Sequence, residues 1–243
     1  MSTTTDTTAI ILAAGVGKRF GAEMNDRPKA LLEVGGETLI ARLVRQLREG
    51  GVAKIVIVVG HRGELIEQEL DSVPGVSFLH NPEYRRGAIL SLWTAREHLG
   101  GPALVMDADV FLPSEMMLRL LRSTNENCFL LDGSASATGE EQMLHVRNGR
   151  VTDIARKPRG EYDLLGESVG FLRLGADGAR VLRELLDARV AAGVKDIEHE
   201  EVYPELLSRV VTGFERVDDL DWTEIDFPED LERARAMASG RRD

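Results

Sequence analysis

The sequence is organised around the stretch Leu12-Ala13-Ala14-Gly15-Val16-Gly17-Lys18-Arg19-Phe20, which begins on the last residue of the apolar run 9–12. That run has the length and branching of a buried strand, and it ends at two small residues and a Gly-x-Gly turn. Glycine tolerates positive φ angles, so the backbone amides of this loop can turn toward a ligand. Lys18, Arg19 and Lys29 supply positive charge within a dozen residues. The stretch predicts a strand that ends in an anion-binding loop, most simply for a triphosphate.

Two familiar phosphate loops do not match these residues. The P-loop has glycine where this chain has Leu12, and serine or threonine where it has Arg19. The dinucleotide fingerprint has a third glycine where Phe20 stands. A different nucleotide loop and an ordinary strand-to-loop turn with solvated basic residues are the interpretations left open.

The composition indicates a globular protein that avoids polyanions. Of its 243 residues 43% are hydrophobic, and the formal net charge is -11. Long-range repulsion at that charge argues against nucleic acid and anionic membranes as partners. The lone cysteine, Cys128, rules out an internal disulfide and favours a reducing compartment. No apolar run approaches the ~20 residues that span a bilayer, so we expect a cytoplasmic protein.

Strand and helix patterns alternate through the first half of the chain. Such alternation is typical of a parallel sheet with right-handed crossovers and helices on both faces. Ligands of such sheets bind beyond the carboxyl ends of the strands, where the glycine loop lies. We predict strands at 9–12, 54–59, 76–79 and 103–106, and helices at 39–47, 64–70 and 89–99.

The second half changes character near Glu140. Alternating runs at 143–146 and 151–154, joined by Asn148-Gly149, predict a hairpin that we interpret as a mixed extension of the same sheet. We expect one domain over 9–238, with a flexible tail at 1–8 and a loose tail at 239–243. The remaining predictions are helices at 180–191, 201–207 and 228–237, and a strand at 222–225.

Two carboxylates, Asp107 and Asp109, follow the predicted strand 103–106. Anions at the mouth of an apolar strand are costly unless a cation or donor meets them. We therefore interpret Asp109 as the first ligand of a divalent metal. Asp107 lies further in, where hydrogen bonds to the loop or to the base-binding segment are expected. An aspartate that caps a turn at the strand end is the alternative.

A second acidic site lies at Asp226, shortly before Pro228. An N-cap role for Asp226 or a neighbour competes closely with metal binding. Together, Asp109 and Asp226 with phosphate oxygens suit octahedral Mg²⁺. No serine or cysteine has a paired base in the sequence, which favours a direct, single-displacement reaction. The histidines lack ligand spacing, so we interpret them as solvated or capping residues: His61, His80, His98, His145 and His199.

Further charged and aromatic residues are candidates for an acceptor site. Lys157 precedes a proline, so it is held in extended backbone and can project toward a substrate phosphate. A solvated basic turn is the alternative. If acidic and aromatic side chains converge, the pocket would favour an amine or a quaternary ammonium group; Tyr84 and Trp93 fit the core equally well. These candidates are Glu167, Glu198, Glu201, Tyr84, Trp93 and Trp222.

The string Leu-Ala-Ala-Gly-x-Gly-x-Arg, followed by Pro-Lys-x-Leu and the acidic sites in this order, resembles the small-molecule nucleotidyltransferase superfamily, MobA-like enzymes included. The resemblance covers residues 8–236, and segments 81–92 and 105–109 look most like cytidylyltransferases for phosphocholine, inositol 1-phosphate or alkylphosphonates. It implies an α/β fold: a Rossmann-like (GT-A-type) three-layer sandwich with a mostly parallel mixed central sheet and a small β-rich extension.

The resemblance also implies roles for individual residues. Lys29 would contact the α-phosphate and the acceptor, Asp109 and Asp226 would hold Mg²⁺, and Lys157 would hold the acceptor's phosphate. Phosphocholine enzymes usually read Asn-Asn-x-Tyr-Ser-Leu where this chain has 87–92, a departure that weakens the case for choline. The residues implied to bind the nucleotide are Leu12, Ala13, Ala14, Gly15, Val16, Gly17, Lys18, Arg19, Gly87, Ser91 and Asp107.

The resulting hypothesis is transfer of CMP from CTP to a small phosphate or phosphonate acceptor, with release of pyrophosphate. An acceptor oxygen that is already ionised needs no general base, so alignment and charge neutralisation would carry the reaction. Alternatives are a sugar 1-phosphate uridylyl- or thymidylyltransferase, a guanylyltransferase for a molybdenum cofactor, and a regulatory module that binds nucleotide without turnover. A homodimer stays open.

Overall fold

A central nine-stranded sheet carries the fold of the chain, as seen in a computed structural model that describes residues 6–17, 20, 27–135 and 139–240. The described strands are β1 Thr8–Ala13, β2 Glu33–Val34, β3 Glu37–Thr38, β4 Lys54–Val59, β5 Val76–His80, β6 Ala103–Asp107, β7 Val110–Phe111, β8 Cys128–Asp132, β9 Met143–Arg147, β10 Arg150–Ala155, β11 Leu164–Leu174, β12 Gly213–Arg216 and β13 Thr223–Glu224. The described α-helices are α1 Leu39–Glu49, α2 Gly63–Leu70, α3 Ile89–Thr94, α4 Ser114–Arg122, α5 Ala176–Ala191, α6 Tyr203–Arg209 and α7 Pro228–Ala238.

Parallel strands form one half of the main sheet. Strands β6, β1, β4 and β5 lie side by side and run parallel, with Leu12 of β1 opposite Asp107 of β6. The long strand β11 runs antiparallel to β6 and also pairs with β8 and β9, and β10 completes a hairpin with β9. The sheet is therefore mostly parallel near the glycine loop and mixed in the second half, as the sequence predicts.

Helices cover both faces of the sheet because alternate strand residues point to opposite sides. Ala9 and Ile11 of β1 pack in a cluster with α1, α2 and α4, whereas Ile10 packs in a cluster with α3, α5 and α6. The result is the three-layer, Rossmann-like sandwich that the sequence predicts. No helix within the described ranges combines the length and apolarity that crossing a bilayer requires.

Two short ribbons lie outside the main sheet. The two-residue strands β2 and β3 form one ribbon, and β7 and β13 form another. Buried Val34, Phe111, Ile225 and Leu231 join these ribbons to α7 in a third apolar cluster. The predicted strand at 222–225 exists over two residues, and it lies in this ribbon rather than in the main sheet.

Several elements differ from the sequence prediction. The helix predicted at 89–99 ends at Thr94 and is followed by a separate 3₁₀ turn, Arg96–Leu99. The Thr94 hydroxyl donates to the Leu90 carbonyl, a bond typical of helices that bend or end. The elements α4, β2, β3, β7, β8, β11 and β12 were not predicted.

Candidate active site

A cleft of about 430 Å³ opens at the carboxyl ends of β1 and β6. Among the residues that the sequence predicts to bind a nucleotide, residues 12–17 of the glycine loop, Ser91 and Asp107 line this cleft. Lys18 and Arg19, which were predicted to contact the triphosphate, lie outside the described residues. The parallel strands thus bring the loop and the acidic strand end to one edge of the sheet.

The glycine loop is held against the turn that follows β4. The amide of His61 donates to the Ala14 carbonyl at 3.2 Å. A Cβ at Gly60 would lie 2.8 Å from that same carbonyl oxygen and 2.6 Å from Tyr84 Cβ, so only glycine allows this close approach. Gly17 takes a φ of +64°, as expected for a loop that turns its amides.

Lys29 joins the two acidic sites at the centre of the cleft. It starts the 3₁₀ turn Lys29–Leu31, which Ala30 and Leu31 anchor in the core. Its Nζ lies 3.2 Å from Asp109 Oδ2 and 2.5 Å from Asp226 Oδ1. Burial alone would lower the pKa of Lys29, but the charge of Asp109 and the hydrogen bond to Asp226 outweigh it and raise the pKa. The lysine is therefore held as a cation.

Asp109, Glu224 and Asp226 form a carboxylate cluster, in which one oxygen from each lies within 4.8 Å of the others. The β7–β13 ribbon builds it: Ile225 N donates to the Asp109 carbonyl, and Glu224 pairs with Val110 in register. An all-oxygen donor set fits Mg²⁺. The walls of the cleft desolvate the partly exposed Glu224, and with the charges of Asp109 and Asp226 they raise its pKa to about 8.

Sequence reasoning missed Glu224, although the sequence contains a usable signal. Glu224 and Asp226 are two residues apart next to a strand, a spacing that places both side chains on one face. Asp230, rather than Asp226, caps the start of α7, which contradicts the N-cap alternative for Asp226. Asp230 accepts the amide hydrogens of Asp226 and Phe227 at the start of α7, while the Asp226 carboxylate meets Lys29.

On the acceptor side, the structure brings some predicted residues into the cleft and leaves others out. Glu167, Glu198 and Tyr84 line the cleft. Burial and the nearby charges of Glu141 and Asp132 raise the pKa of Glu167 to about 7. Arg156 also lines the cleft and was missed, whereas Lys157 beside it is exposed and is not among the lining residues.

Three other predicted residues have structural partners. Trp222 donates from Nε1 to Asp132 and packs against the core. Trp93 donates to Asp187 of α5, and the Glu201 side chain accepts from the Glu198 amide. None of these three belongs to the described lining of the cleft.

Gly87 lies behind the cleft rather than on its surface. Its amide donates to the Lys195 carbonyl, and a Cβ there would lie 2.2 Å from the Ile197 carbonyl oxygen. The glycine therefore allows segment 83–88 to run against segment 195–197. Ser91 also has a partner, since its hydroxyl accepts from the Asn81 side chain at 3.0 Å.

The interpretation of the histidines as solvated or capping residues is wrong for His145 and His199, because both side chains are buried. The ring of His199 lies between Asp107 and Glu200 on the wall of the cleft. Ligand spacing in the sequence did not reveal this contact, because Asp107 and His199 come from distant parts of the chain. Burial, with the charges of Glu200 and Asp109, raises the pKa of Asp107 well above its usual range.

The fold and this cleft define a class of protein: a Rossmann-like sheet whose carboxyl edge carries a glycine loop, a bridging lysine and a carboxylate cluster is typical of nucleotidyltransferases. Residues 9–168 match the family described as MobA-like NTP transferase domain. That match spans more than half of the chain, and the chain belongs to this family.

Its similarities to individual proteins point the same way. The chain is 33% identical over 242 residues to the bifunctional IPC transferase and DIPP synthase of Rubrobacter xylanophilus. The aligned region covers 96% of this chain and 52% of that protein. The chain is 27% identical to the 2-aminoethylphosphonate cytidylyltransferase of Lancefieldella rimae, over 81% of this chain and 77% of the relative. The chain spans about half the length of the first of these curated relatives.

The fold is shared with a solved structure of the CTP:phosphocholine cytidylyltransferase of Streptococcus pneumoniae. The TM-score is 0.80 at 23% identity, with 95% of this chain and 98% of that chain covered. At this identity the likeness concerns the fold.

Proposed function

We propose that the protein is a cytidylyltransferase that transfers CMP from CTP to a small phosphorylated or phosphonate alcohol or amine. The observation that carries the proposal is the contact of Lys29 with both Asp109 and Asp226 beside the glycine loop. We infer that a triphosphate held on the loop would present its α-phosphate to this lysine and to the carboxylate cluster. The cytidylyltransferase names of its relatives support CTP as the donor.

In the proposed reaction, an anionic oxygen of the acceptor attacks the α-phosphorus of CTP. The new P–O bond forms as the bond to the β-phosphate oxygen breaks, and pyrophosphate leaves with that electron pair. Lys29 is placed to neutralise charge on the α-phosphate, and such a contact typically contributes ~10²-fold or more in rate. No proton has to be removed, because a phosphate or phosphonate is ionised at neutral pH.

The carboxylate cluster Asp109, Asp226 and Glu224 would hold a divalent cation, for which Mg²⁺ is the best match in charge and donor type. A bound divalent ion supplies charge neutralisation to the triphosphate. Lys29 already pairs with two of these carboxylates, so the chain itself limits their mutual repulsion. We propose that Asp109 and Asp226 are ligands and that Glu224 completes or orients the set.

The cations of the cleft support an acceptor that carries an anionic group. Arg156 lines the acceptor side, and Arg85 and Arg86 line the edge near Tyr84. Arg86 is committed to Asp196 through two hydrogen bonds, and Arg85 stacks over the Tyr84 ring, so Arg156 is the better candidate for the acceptor phosphate or phosphonate. We therefore assign to Arg156 the role that the sequence suggested for Lys157.

Pyrophosphate release with each of four NTPs and a set of acceptors tests the proposal. The set is 2-aminoethylphosphonate, inositol 1-phosphate, phosphocholine and glucose 1-phosphate. Acceptor-dependent release with CTP, above that with UTP, GTP and ATP, is expected. A preference for UTP with glucose 1-phosphate would overturn it. Saturable CTP binding with no product from any acceptor would instead support a regulatory module.

A further inference from the structure

A second cluster of metal-binding groups lies in the cleft, formed by Asp107, His199 and Glu200. One donor atom from each lies within 4.8 Å of the others. His199 Nε2 is 3.9 Å from Asp107 Oδ1, and His199 Nδ1 is 3.1 Å from Glu200 Oε2. The 3₁₀ turn His199–Val202 carries two of these groups to the end of β6, where Asp107 lies.

The imidazole is an independent sign that this cluster awaits a ligand. His199 is only 4% exposed, and its Nδ1 makes no hydrogen bond to any described residue, despite the nearby carboxylate. A buried nitrogen left without a hydrogen bond is costly. Tyr203 packs edge-on against the ring at 5.6 Å and fixes its position without engaging that nitrogen.

The charge around the cluster favours a cation. Within the described ranges, neither Asp107 nor Glu200 has a lysine or arginine within salt-bridge distance. Asp109 and Glu198 add further negative charge from the same cleft. A bound cation would offset the cost of withdrawing these carboxylates from water.

We infer that Asp107, His199 and Glu200 form a second divalent-cation site, distinct from the cluster of Asp109, Glu224 and Asp226. The mixed set of one imidazole and two carboxylates suits an ion that accepts nitrogen, such as Mn²⁺ or Zn²⁺, better than Mg²⁺. Asp107 therefore acts as a metal ligand rather than as a hydrogen-bond partner of the base-binding segment. This site does not depend on the identity of the transferred nucleotide.

Electron paramagnetic resonance of Mn²⁺ added to metal-free protein tests the inference without any assay of activity. The wild-type chain is expected to bind two Mn²⁺ ions, and one of them shows the ¹⁴N modulation of an imidazole ligand. His199→Gln removes the nitrogen modulation and one ion. Asp109→Asn weakens the other ion and keeps the nitrogen signal. His80→Gln is the matched control, because His80 is exposed on β5, and it leaves both ions bound.

Two results would overturn the inference, and the first needs only the wild-type spectrum. Bound Mn²⁺ without nitrogen modulation would exclude His199 as a ligand. Two ions bound equally well by His199→Gln would do the same. If His199→Gln fails to fold by circular dichroism, Glu200→Gln replaces it, with an expected loss of affinity of about 10-fold or more at the nitrogen-containing site. Failure of this test leaves CMP transfer untouched, since that proposal is measured by pyrophosphate release.

A competing occupant is the ammonium group of an amine-bearing acceptor. Calorimetry with 2-aminoethylphosphonate and 2-hydroxyethylphosphonate, with Mn²⁺ present and absent, distinguishes the two. A metal site predicts that Mn²⁺ binds before either phosphonate is added. If only the amine-bearing phosphonate binds, and if its binding is the same with and without Mn²⁺, the cluster belongs to the acceptor and the metal site is overturned.

Discussion

Arg156 and its neighbour Lys157 differ in what they can reach, although both are exposed basic residues. Only Arg156 lines the cleft, and its planar guanidinium matches a phosphate or phosphonate in two-point contact. We expect Arg156→Gln to raise the acceptor KM about 10-fold or more, which corresponds to the loss of one charged hydrogen bond. Lys157→Gln should change it little. Steady-state kinetics with varied acceptor checks this pair, and the opposite order would return the role to Lys157.

Glu167 gives the stability of the protein a defined pH dependence. Burial and the charges of Glu141 and Asp132 raise its pKa from 4.5 to about 7 in the folded chain. The folded state therefore holds a proton that the unfolded state has released between these values. This contribution to stability is complete below pH 4.5 and is lost as the pH rises through 7.

Glu167→Gln should consequently gain stability relative to wild type as the pH rises. Because Glu167 is only partly buried, we expect a gain of about 1–2 kcal/mol between pH 5 and pH 8, measured by urea unfolding. Glu67→Gln, on the exposed side of α2, is the control and should show no such trend. A flat difference for Glu167→Gln would mean that its pKa is not raised.

Among the elements, the junction of segments 83–88 and 195–197 lies next to residues that line the cleft. Hydrogen bonds from Gly87 N to Lys195 O and from Ile89 N to Ile197 O join the two segments, and Arg86 pairs with Asp196. A Cβ at Gly87 would lie 2.2 Å from the Ile197 carbonyl oxygen and 2.3 Å from its nitrogen. Both atoms belong to backbone, so neither can move aside like a flexible side chain.

Gly87→Ala should therefore destabilise the fold by about 1–3 kcal/mol, the usual cost of overpacking. It should also lower activity by displacing the 195–201 segment. Gly101→Ala is a matched control, because no atom lies within 4 Å of a Cβ built there. Thermal unfolding of the two variants checks the prediction. Equal melting temperatures would show that segment 195–197 can move aside at no cost in stability.

The elements that could be predicted from the sequence are those with strong local signals. Strand β4 and helix α2 carry regular apolar patterns, and the Asn148-Gly149 turn carries the glycine and asparagine that a tight hairpin favours. Both of those residues take positive φ angles in the structure. Strand β11 was missed because its pairing partners β6, β8 and β9 are set by tertiary contacts.

The residues of the candidate site also differ in whether a local sequence motif marks them. Lys29, Asp109 and the glycine loop follow recognisable local motifs, so the sequence predicted that they would share a site. His199 and Arg156 had no motif to mark them, and Glu224 had only its two-residue spacing from Asp226. They enter the cleft through the sheet register, the β7–β13 ribbon and the 3₁₀ turn at 199–202, which depend on contacts between distant parts of the chain.

At the scale of the whole molecule, one sheet separates two apolar layers that share the same strands. Trp93 packs with the layer that contains α3 and α5, and Trp222 packs with the layer that contains α1 and α4. Because every central strand contributes to both layers, we expect the two layers to unfold together. Joint unfolding would support the single domain predicted over 9–238.

Two single-tryptophan variants, Trp93→Phe and Trp222→Phe, report on opposite layers. For each variant, we expect the fluorescence transition in urea to coincide with the transition measured by far-ultraviolet circular dichroism. The two transitions are compared within each variant only, because each substitution can shift the unfolding midpoint of its own variant. A fluorescence transition that precedes the loss of secondary structure in either variant would indicate two independently unfolding units.

In the whole molecule, Lys29 lies between Asp109 and Asp226 in the cleft that the glycine loop lines, and we propose that this unit transfers CMP. The most direct test is acceptor-dependent pyrophosphate release from CTP by Asp109→Asn. Asp71→Asn is the matched control, because Asp71 is an exposed aspartate at the end of α2 and is not among the described residues that line the cleft. We predict a loss of ~10²-fold or more for Asp109→Asn with an intact fold and near-native turnover for Asp71→Asn. Near-native turnover by Asp109→Asn would contradict it.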